Sequence, residues 1–340
     1  MVLNLFPATG SSPSLLEVLD VTDPLKPRLM CTLSPADGGE FGGSSHVVVF
    51  WSGNTIGSAD LAARTIALVG EVPQGSFVGA YNQAQREAAY TEPGEGDGFT
   101  RHLVQLGGQD RTLYVQQPIG GHGGPTCGPY GQLQFSPDGR ELLDYNTFRP
   151  VSGPANLLVF KSDGSLVFQQ VGISFGGWGP AGTVLYFAGA SSQGVTGEID
   201  SVDEAGHRLS VVSGLRSFCW PVMAPDGRSI VFGVYDPPAP GQATLGLPHL
   251  WRIDLASHTA SQLTTAVTSH AAFVGPAVVW ADEETACDCG PGGPSAPDGV
   301  VLAHDLAKGT EAKVDLGSLV PGIGLPNPPV GFDVRDHWFG

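Results

Sequence analysis

Basic residues are scarce in this chain: Lys and Arg number 16 of 340, against 33 Asp and Glu, for a formal net charge of −17. So few cations cannot displace the counterions of a nucleic-acid backbone, and nucleic acid is excluded as a partner. The acidic balance suits solubility, and it suits metal cations or cationic ligands. Long apolar runs are missing too. None reaches the roughly 18–20 residues that a membrane span needs, so no span is expected. The N-terminal MVLNLFPATGSSPS has neither a basic leader nor an apolar core, Lys26 being the first basic residue. SSPS resembles a linker left by trimming, and the chain reads as an extracytoplasmic bacterial protein without its signal segment. No glycine loop leads into a helix, so no nucleotide cofactor is expected. Helical apolar periodicity is absent, while Gly (49) and Pro (28) are abundant and charged residues make up 14%. These features leave an all-β body.

Against that background one phrase recurs seven times: a strand, a tight polar turn and a second strand. The copies are LLEVLDVTDPLKPRLMCTL, TIGSADLAARTIALVGEV, TRHLVQLGGQDRTLYVQQ, NLLVFKSDGSLVFQQV, GEIDSVDEAGHRLSVVSG, HLWRIDLASHTASQLTTA and GVVLAHDLAKGTEAKVDLG. Their turns fall near Pro24, Ala62, Gly108, Asp163, Ala205, Ser257 and Lys308. A period of roughly 40–55 residues made only of short strands is that of a propeller blade.

Two further segments supply inner strands. QLQFSPDGRELLDYN and PVMAPDGRSIVFGVY share Pro-Asp-Gly-Arg at Pro137–Arg140 and Pro225–Arg228. Asp-Gly between two β-rich runs predicts a type I′ hairpin, with positive φ at both central positions. Proline ahead of it ends the incoming strand. The same slot is degenerate at Asn82–Arg86, Pro180–Thr183 and Gly275–Ala277, each before a short apolar strand.

The expected fold is therefore a single seven-bladed β-propeller over residues 1–340, with four-stranded antiparallel blades. Blades are expected near 37–75, 76–119, 120–171, 172–214, 215–267 and 268–318, and the last joins 319–340 to 1–36. There the N-terminus supplies an outer pair of strands and PPVGFDVRDHWFG an inner pair. Pairing of N- and C-terminal strands closes the ring and removes free edges.

The SPDGR-type inner hairpin, followed by an LW-x-IDL strand at Leu250–Leu255 and a QLT strand at Gln262–Thr264, resembles the TolB-like propeller repeat family. The specific match covers residues 132–146 and 221–264. That resemblance implies a propeller of six or seven blades that binds proteins, peptides or small ligands.

Candidate chemistry gathers where connections between blades open on the channel. Gly120–Gly124, with His122 at its centre, allows close approach to the backbone and continues to Cys127 and Tyr130. The equivalent slot elsewhere holds Glu40, Tyr81, Trp178, Arg216, Trp220, His270 and Asn327. Set in a ring, these bring carboxylate, imidazole, guanidinium and aromatic groups together at the mouth. They also describe what fills any propeller channel. His122, His270, Glu40 and Arg216 are the catalytic candidates. Tyr81, Tyr130, Trp178, Trp220 and Asn327 are the binding candidates. Two acidic loops, Glu92-Pro-Gly-Glu95-Gly-Asp97 and Asp282–Glu284 with Asp288, are oxygen-rich without the ordered spacing of a calcium loop. A divalent metal would fall to His122, His270, Glu92 and Asp97. Cys287 and Cys289 lie in one long loop without a second Cys pair to complete a zinc site, so disulfides drawn from Cys127, Cys219, Cys287 and Cys289 are the simpler reading, with Cys31 left over. Gly172-Ile-Ser-Phe-Gly176 matches a nucleophile-elbow pattern, but glycines and a strand follow it where a helix is needed. His46 and His337 read as hydrogen-bonded strand residues.

Two functions fit. In one the propeller is a binding module for a small molecule, peptide or glycan at its channel mouth, and is monomeric. In the other it is a hydrolase of lactonase, phosphotriesterase or esterase type, with a central metal ion activating water.

Overall fold

The structure is a computed structural model. It describes residues 2–6, 15–116, 132–145, 157–178, 184–188, 196–236, 240, 248–266, 271–280, 300–315 and 331–333, apart from 21, 24, 27, 42–45, 96–97, 137, 172, 204–206, 217, 225–227, 275–276 and 307. These residues form strands and turns, with no helix among them. The fold is a β-propeller whose blades are four-stranded antiparallel sheets.

The chain divides into two compact units. The larger continuous part of one unit, Gly38–Ala190 joined by Glu198–Ser213, holds four sheets in simple up-and-down order. The first is β4 (Gly38–Phe41), β5 (Val47–Ser52), β6 (Thr55–Asp60) and β7 (Thr65–Glu71). Next come β8 (Phe77–Asn82), β9 (Glu87–Pro93), β10 (Phe99–Gln105) and β11 (Asp110–Gln116). The third is β12 (Gln132–Phe135), β13 (Glu141–Tyr145), β14 (Leu157–Lys161) and β15 (Leu166–Gln170). The fourth is β16 (Ile173–Trp178), β17 (Val184–Ala188), β18 (Thr196–Val202) and β19 (Arg208–Arg216), the ends of β18 and β19 being assigned to the other unit.

That other unit contains β20 (Phe218–Met223), β21 (Ser229–Tyr235), β22 (Pro248–Asp254) and β23 (Thr259–Gln262), then β24 (Ala272–Val274), β25 (Ala277–Trp280), β26 (Val300–Asp305) and β27 (Thr310–Asp315). Its remaining sheet has the order β28-β1-β2-β3, from β1 (Val2–Phe6), β2 (Leu15–Asp20), β3 (Arg28–Leu33) and β28 (Gly331–Asp333). The split differs from the expected one. Among the described residues the N-terminus gives three strands and the C-terminal segment one, because Val2–Leu5 pairs with β2 and Asn4–Phe6 pairs with β28. His337 lies outside the described residues.

Alternation makes the sheets two-sided. On β10 the odd positions Phe99, Arg101 and Leu103 are buried and the even ones half-exposed. Facing sheets then bury apolar clusters: Val49, Trp51, Ile56, Val78, Tyr81 and Tyr90 between the first two sheets of one unit, and Val231, Leu250, Phe273, Val278 and Leu302 between two sheets of the other. No blade can bury such a face alone.

An aspartate at the end of the third strand, or one or two residues beyond it, sets most of the outer hairpins. Oδ1 of Asp20, Asp60, Asp163, Asp203, Asp254 and Asp305 accepts a backbone N–H from two to four residues on. Hydrogen bonds from the turn hold the carboxyls of Asp20, Asp163 and Asp254 below the usual carboxylate range. The inner Pro137–Arg140 hairpin is not the expected type I′ turn centred on Asp-Gly: Gly139 has φ of 72°, but its N–H donates to Ser136 O and so closes a turn one residue earlier. Asp138 instead accepts from Ser136 Oγ and Arg140 N, and Ser136 N bonds Glu141 O, closing a longer loop. Asn82 Nδ2 donates to Gly139 O at 2.7 Å, and a Cβ at Gly139 would come within 2.6 Å of that nitrogen.

Candidate functional site

β10 carries different chemistry on its two faces. On one, Arg101 is 1% exposed and meets an equally buried Asp144 on β13, with Nε 3.0 Å from Oδ2 and Nη2 3.3 Å from Oδ1. Nη1 donates to Thr91 Oγ1, and Tyr114 OH donates to Asp144 Oδ2 at 2.6 Å. The guanidinium carbon stands 4.8 Å from the centre of the Phe99 ring. Burial works against the Arg101 charge, but Asp144 and Tyr114 outweigh it and hold its pKa above the ordinary value. This network is closed to solvent and its charges are matched. It acts as a strut between two blades.

The other face is open at its ends. His102 is the direct cross-strand partner of Tyr90 in the regular β9–β10 ladder, and the rings stack at 4.6 Å and 8°. His102 Nδ1 lies 3.3 Å from Asp110 Oδ1, and Nε2 lies 3.3 Å from Glu92 Oε2, out of line for a good hydrogen bond. Tyr90 OH donates to Asp110 Oδ2 at 2.5 Å, and burial followed by that carboxylate raises the Tyr90 pKa. Glu92 and Asp110 are themselves solvent-exposed.

A second sheet repeats the pairing. His249, on third strand β22, has Nε2 3.3 Å from Oδ2 of Asp236, the residue after second strand β21. Its Nδ1 donates to Ala266 O at 2.9 Å, so Nε2 is the ring nitrogen that faces Asp236. In both sheets an acid at the end of the second strand meets a histidine on the third. In an up-and-down sheet that end also carries the exit of the fourth strand. Such a pair can hold a cation, bond a ligand hydroxyl or carry a proton. No cluster of three or more His, Cys, Asp or Glu able to hold a metal occurs among the described residues.

Of the residues named from sequence, Tyr81 is on β8, buried in the core, and burial raises its pKa. Trp178 is on β16, also buried, and its Nε1 donates to Gln134 O at 3.0 Å. Glu92 meets His102 as above. Glu40 is on β4, Arg216 ends β19, and Trp220 and Cys219 are on β20; only their backbones are described. His122, Tyr130, His270, Asn327, Asp97, Cys127, Cys287 and Cys289 lie outside the described residues. Beyond Glu92, Gly94 N donates to Gly98 O. Ser174 sits in β16, whose sheet neighbour is another strand. Cys31 is a free thiol whose pKa burial raises. His46 is exposed and precedes β5, where a strand position was expected.

Sequence reasoning missed His102 and His249. The signal was present for His102: folding TEPGEGDGF about its glycines pairs Thr100 with Glu92 and sets His102 beside it. For His249 the intervening loop is too long to give a register.

No protein-family model matches the chain, and no curated protein matches it. Solved structures share the fold. An oligogalacturonate lyase in complex with manganese aligns over 91% of this chain and 84% of its own, with a TM-score of 0.57 and 15% identity. A putative 6-phosphogluconolactonase from Bacteroides uniformis aligns over 97% and 98%, with a TM-score of 0.50 and 13% identity. TolB from Acinetobacter baumannii aligns over 92% and 78%, with a TM-score of 0.45 and 14% identity. At such identities the likeness to the first two is one of fold.

Proposed function

We propose that the chain is a ligand-binding propeller. Its sheets form one closed ring of seven blades over residues 1–340, and it works at the end where second strands turn into third strands. The observation that carries this reading is the repeated carboxylate–histidine pair, Glu92 with His102 and Asp236 with His249. The acidic partners are exposed while the imidazoles are mostly covered, so each pair offers a negative, orientable group on a fixed floor. With a net charge of −17, the ligand is a cationic or hydroxyl-rich small molecule, peptide or glycan. Calorimetric titration with cationic peptides and neutral oligosaccharides tests it. A ligand bound by the native protein is expected to lose about tenfold in affinity when Glu92→Gln or Asp236→Asn removes one charge–ligand contact. A ligand whose affinity neither substitution changes overturns the reading.

A second reading is hydrolysis at the same end, and the His249 geometry favours it. With Nδ1 committed to Ala266 O, Nε2 is placed as a proton acceptor. His122, His270, Glu40 and Arg216 complete that proposal, with a divalent metal held by His122, His270, Glu92 and Asp97, and Tyr130, Trp220 and Asn327 contacting substrate. Ester, lactone and phosphotriester turnover, measured with and without chelator, checks it beside elemental analysis. Chelator-sensitive turnover that disappears in His122→Ala would establish it over simple binding. Disulfides among Cys127, Cys219, Cys287 and Cys289, and an extracytoplasmic location, belong to the same proposal; five reactive thiols per chain in denaturant without reductant would rule out the disulfides.

A further inference from the structure

Large apolar side chains left exposed among the described residues share a location, with one exception. The others lie on the fourth strands β3, β7, β11 and β15, or directly after one. Phe77, 48% exposed and the one aromatic in that set, lies on first strand β8.

A bulge puts it there. In the β8–β9 ladder Val78 pairs with Tyr90 and Ala80 with Ala89, so Gly79 is the extra residue. Val78 and Tyr81, three positions apart, therefore both pack with the first sheet, while Ala80 packs on the opposite face with Leu133 of β12. In an unbroken strand Phe77 would share the face of Tyr81 and be buried with it. The bulge moves Phe77 to the face of Ala80, opposite Thr91. Glycine suits position 79 because Leu133 fills the space, a Cβ there standing 2.7 Å from Leu133 Cδ1. Thr91 is 2% exposed and its hydroxyl accepts from Arg101 Nη1, so the ring rises from a rigid stretch of sheet.

Two polar groups stand at the same end of that sheet. Glu92, next to Thr91, is 58% exposed. Ser76, next to Phe77, is 2% exposed, and its Oγ has no hydrogen-bond partner. An exposed aromatic face, an exposed carboxylate and an unmet hydroxyl suit a cation that bears N–H groups: the ring attracts its charge, the carboxylate balances it and the hydroxyl accepts from it.

We propose that Phe77 is a ligand-binding residue that takes a guanidinium or ammonium group onto its ring beside Glu92, a site that rests on the ligand-binding reading of the Glu92 end and narrows its ligand to an organic cation. A basic peptide and a free amine carry the same group. An anionic ligand would meet a net charge of −17. Tyr81, expected at this position from the sequence, is buried by the same bulge that exposes Phe77.

Calorimetric titration at about 0.15 M salt tests the assignment with capped tetra-arginine, its citrulline counterpart, argininamide and a neutral oligosaccharide. The arginine peptide is expected to bind, and the citrulline peptide, of similar shape but uncharged, to bind about tenfold more weakly or worse. Phe77→Leu keeps apolar bulk but loses the aromatic face, and is expected to weaken the arginine peptide about three- to fivefold. Phe77→Trp is expected to match or exceed the wild type. Argininamide that binds as tightly as the peptide identifies a free amine as the ligand, and tighter binding of the peptide identifies a basic segment. An arginine peptide that does not bind, a citrulline peptide or oligosaccharide that binds equally well, or a Phe77→Leu variant with wild-type affinity overturns the assignment. If Phe77→Leu changes nothing while Glu92→Gln weakens binding, the Phe77 site fails and the ligand-binding reading stands; if neither changes anything, both fail. Should the variants not fold, proton spectra of the wild-type complex decide. Upfield shifts of the arginine δ-methylene protons support stacking on the ring, and unshifted protons refute it.

Discussion

At the scale of single residues, the buried charges separate into matched and partly matched. Arg101 and Asp144 are matched, so removing one strands the other in a dry interior. Asp144→Ala is expected to cost about 3–5 kcal/mol in urea unfolding, whereas Arg101→Met with Asp144→Leu should recover most of that. A single-variant cost near zero would mean the pair is not the strut described. Glu87 is matched only in part: it is buried, its Oε2 has no hydrogen-bond partner, and Arg111 makes a long ion pair with the other oxygen at 3.8 Å. Burial raises its pKa, and Arg111 offsets this only in part. A carboxyl with a raised folded-state pKa costs stability once the pH is high enough to ionise it, and costs nothing when both states are protonated. Glu87→Gln should therefore melt above the wild type at neutral pH, with the gap closing as pH falls below the carboxylate range. A gap that widens in acid would reverse the assignment. Neither group was legible in the sequence. A lone Arg or Glu in a strand reads as solvent-facing, and the partner of Arg101 is 43 residues away on another sheet.

At the scale of elements, the outer hairpins were legible because each is local. Strand, turn and strand lie within one short window, and an aspartate, glycine or asparagine sets the bend. The N-terminal β1 was not legible. VLNLF sits before a Pro- and Ser-rich stretch that resembles a linker, and its partners are β2 and the distant β28. Among the binding candidates, Trp178 has contacts that are not local. Trp178 was read as lining a channel, yet its ring packs with Leu143, Tyr145, Leu157 and Val159, and its N–H ties β16 to β12. Trp178→Phe is expected to lose about 1 kcal/mol for the hydrogen bond, and Trp178→Ala about 3–5 kcal/mol for the cavity as well. Ligand affinity in Trp178→Phe should match the wild type. A selective loss of affinity with unchanged unfolding would return Trp178 to the binding surface.

At the scale of the whole molecule, the proposal of ring closure rests on three residues, Gly331–Asp333, that pair with Phe6–Asn4 of β1. Without β28, β1 becomes an open edge held only by β2, and the ends of the chain are no longer joined. In a ring of blades each blade is stabilised mainly by its neighbours, so cutting one junction lets unfolding begin there and spread. Closure should make the two compact units melt together. Removing residues 328–340 is therefore expected to lower the melting temperature by several degrees, to split one calorimetric transition into two, and to remove exchange protection from β1 while β9 and β10 keep theirs. A truncated protein that melts as the full chain does, in one transition, would show that β28 is an ornament on an open array and that the ring is held shut, if at all, elsewhere.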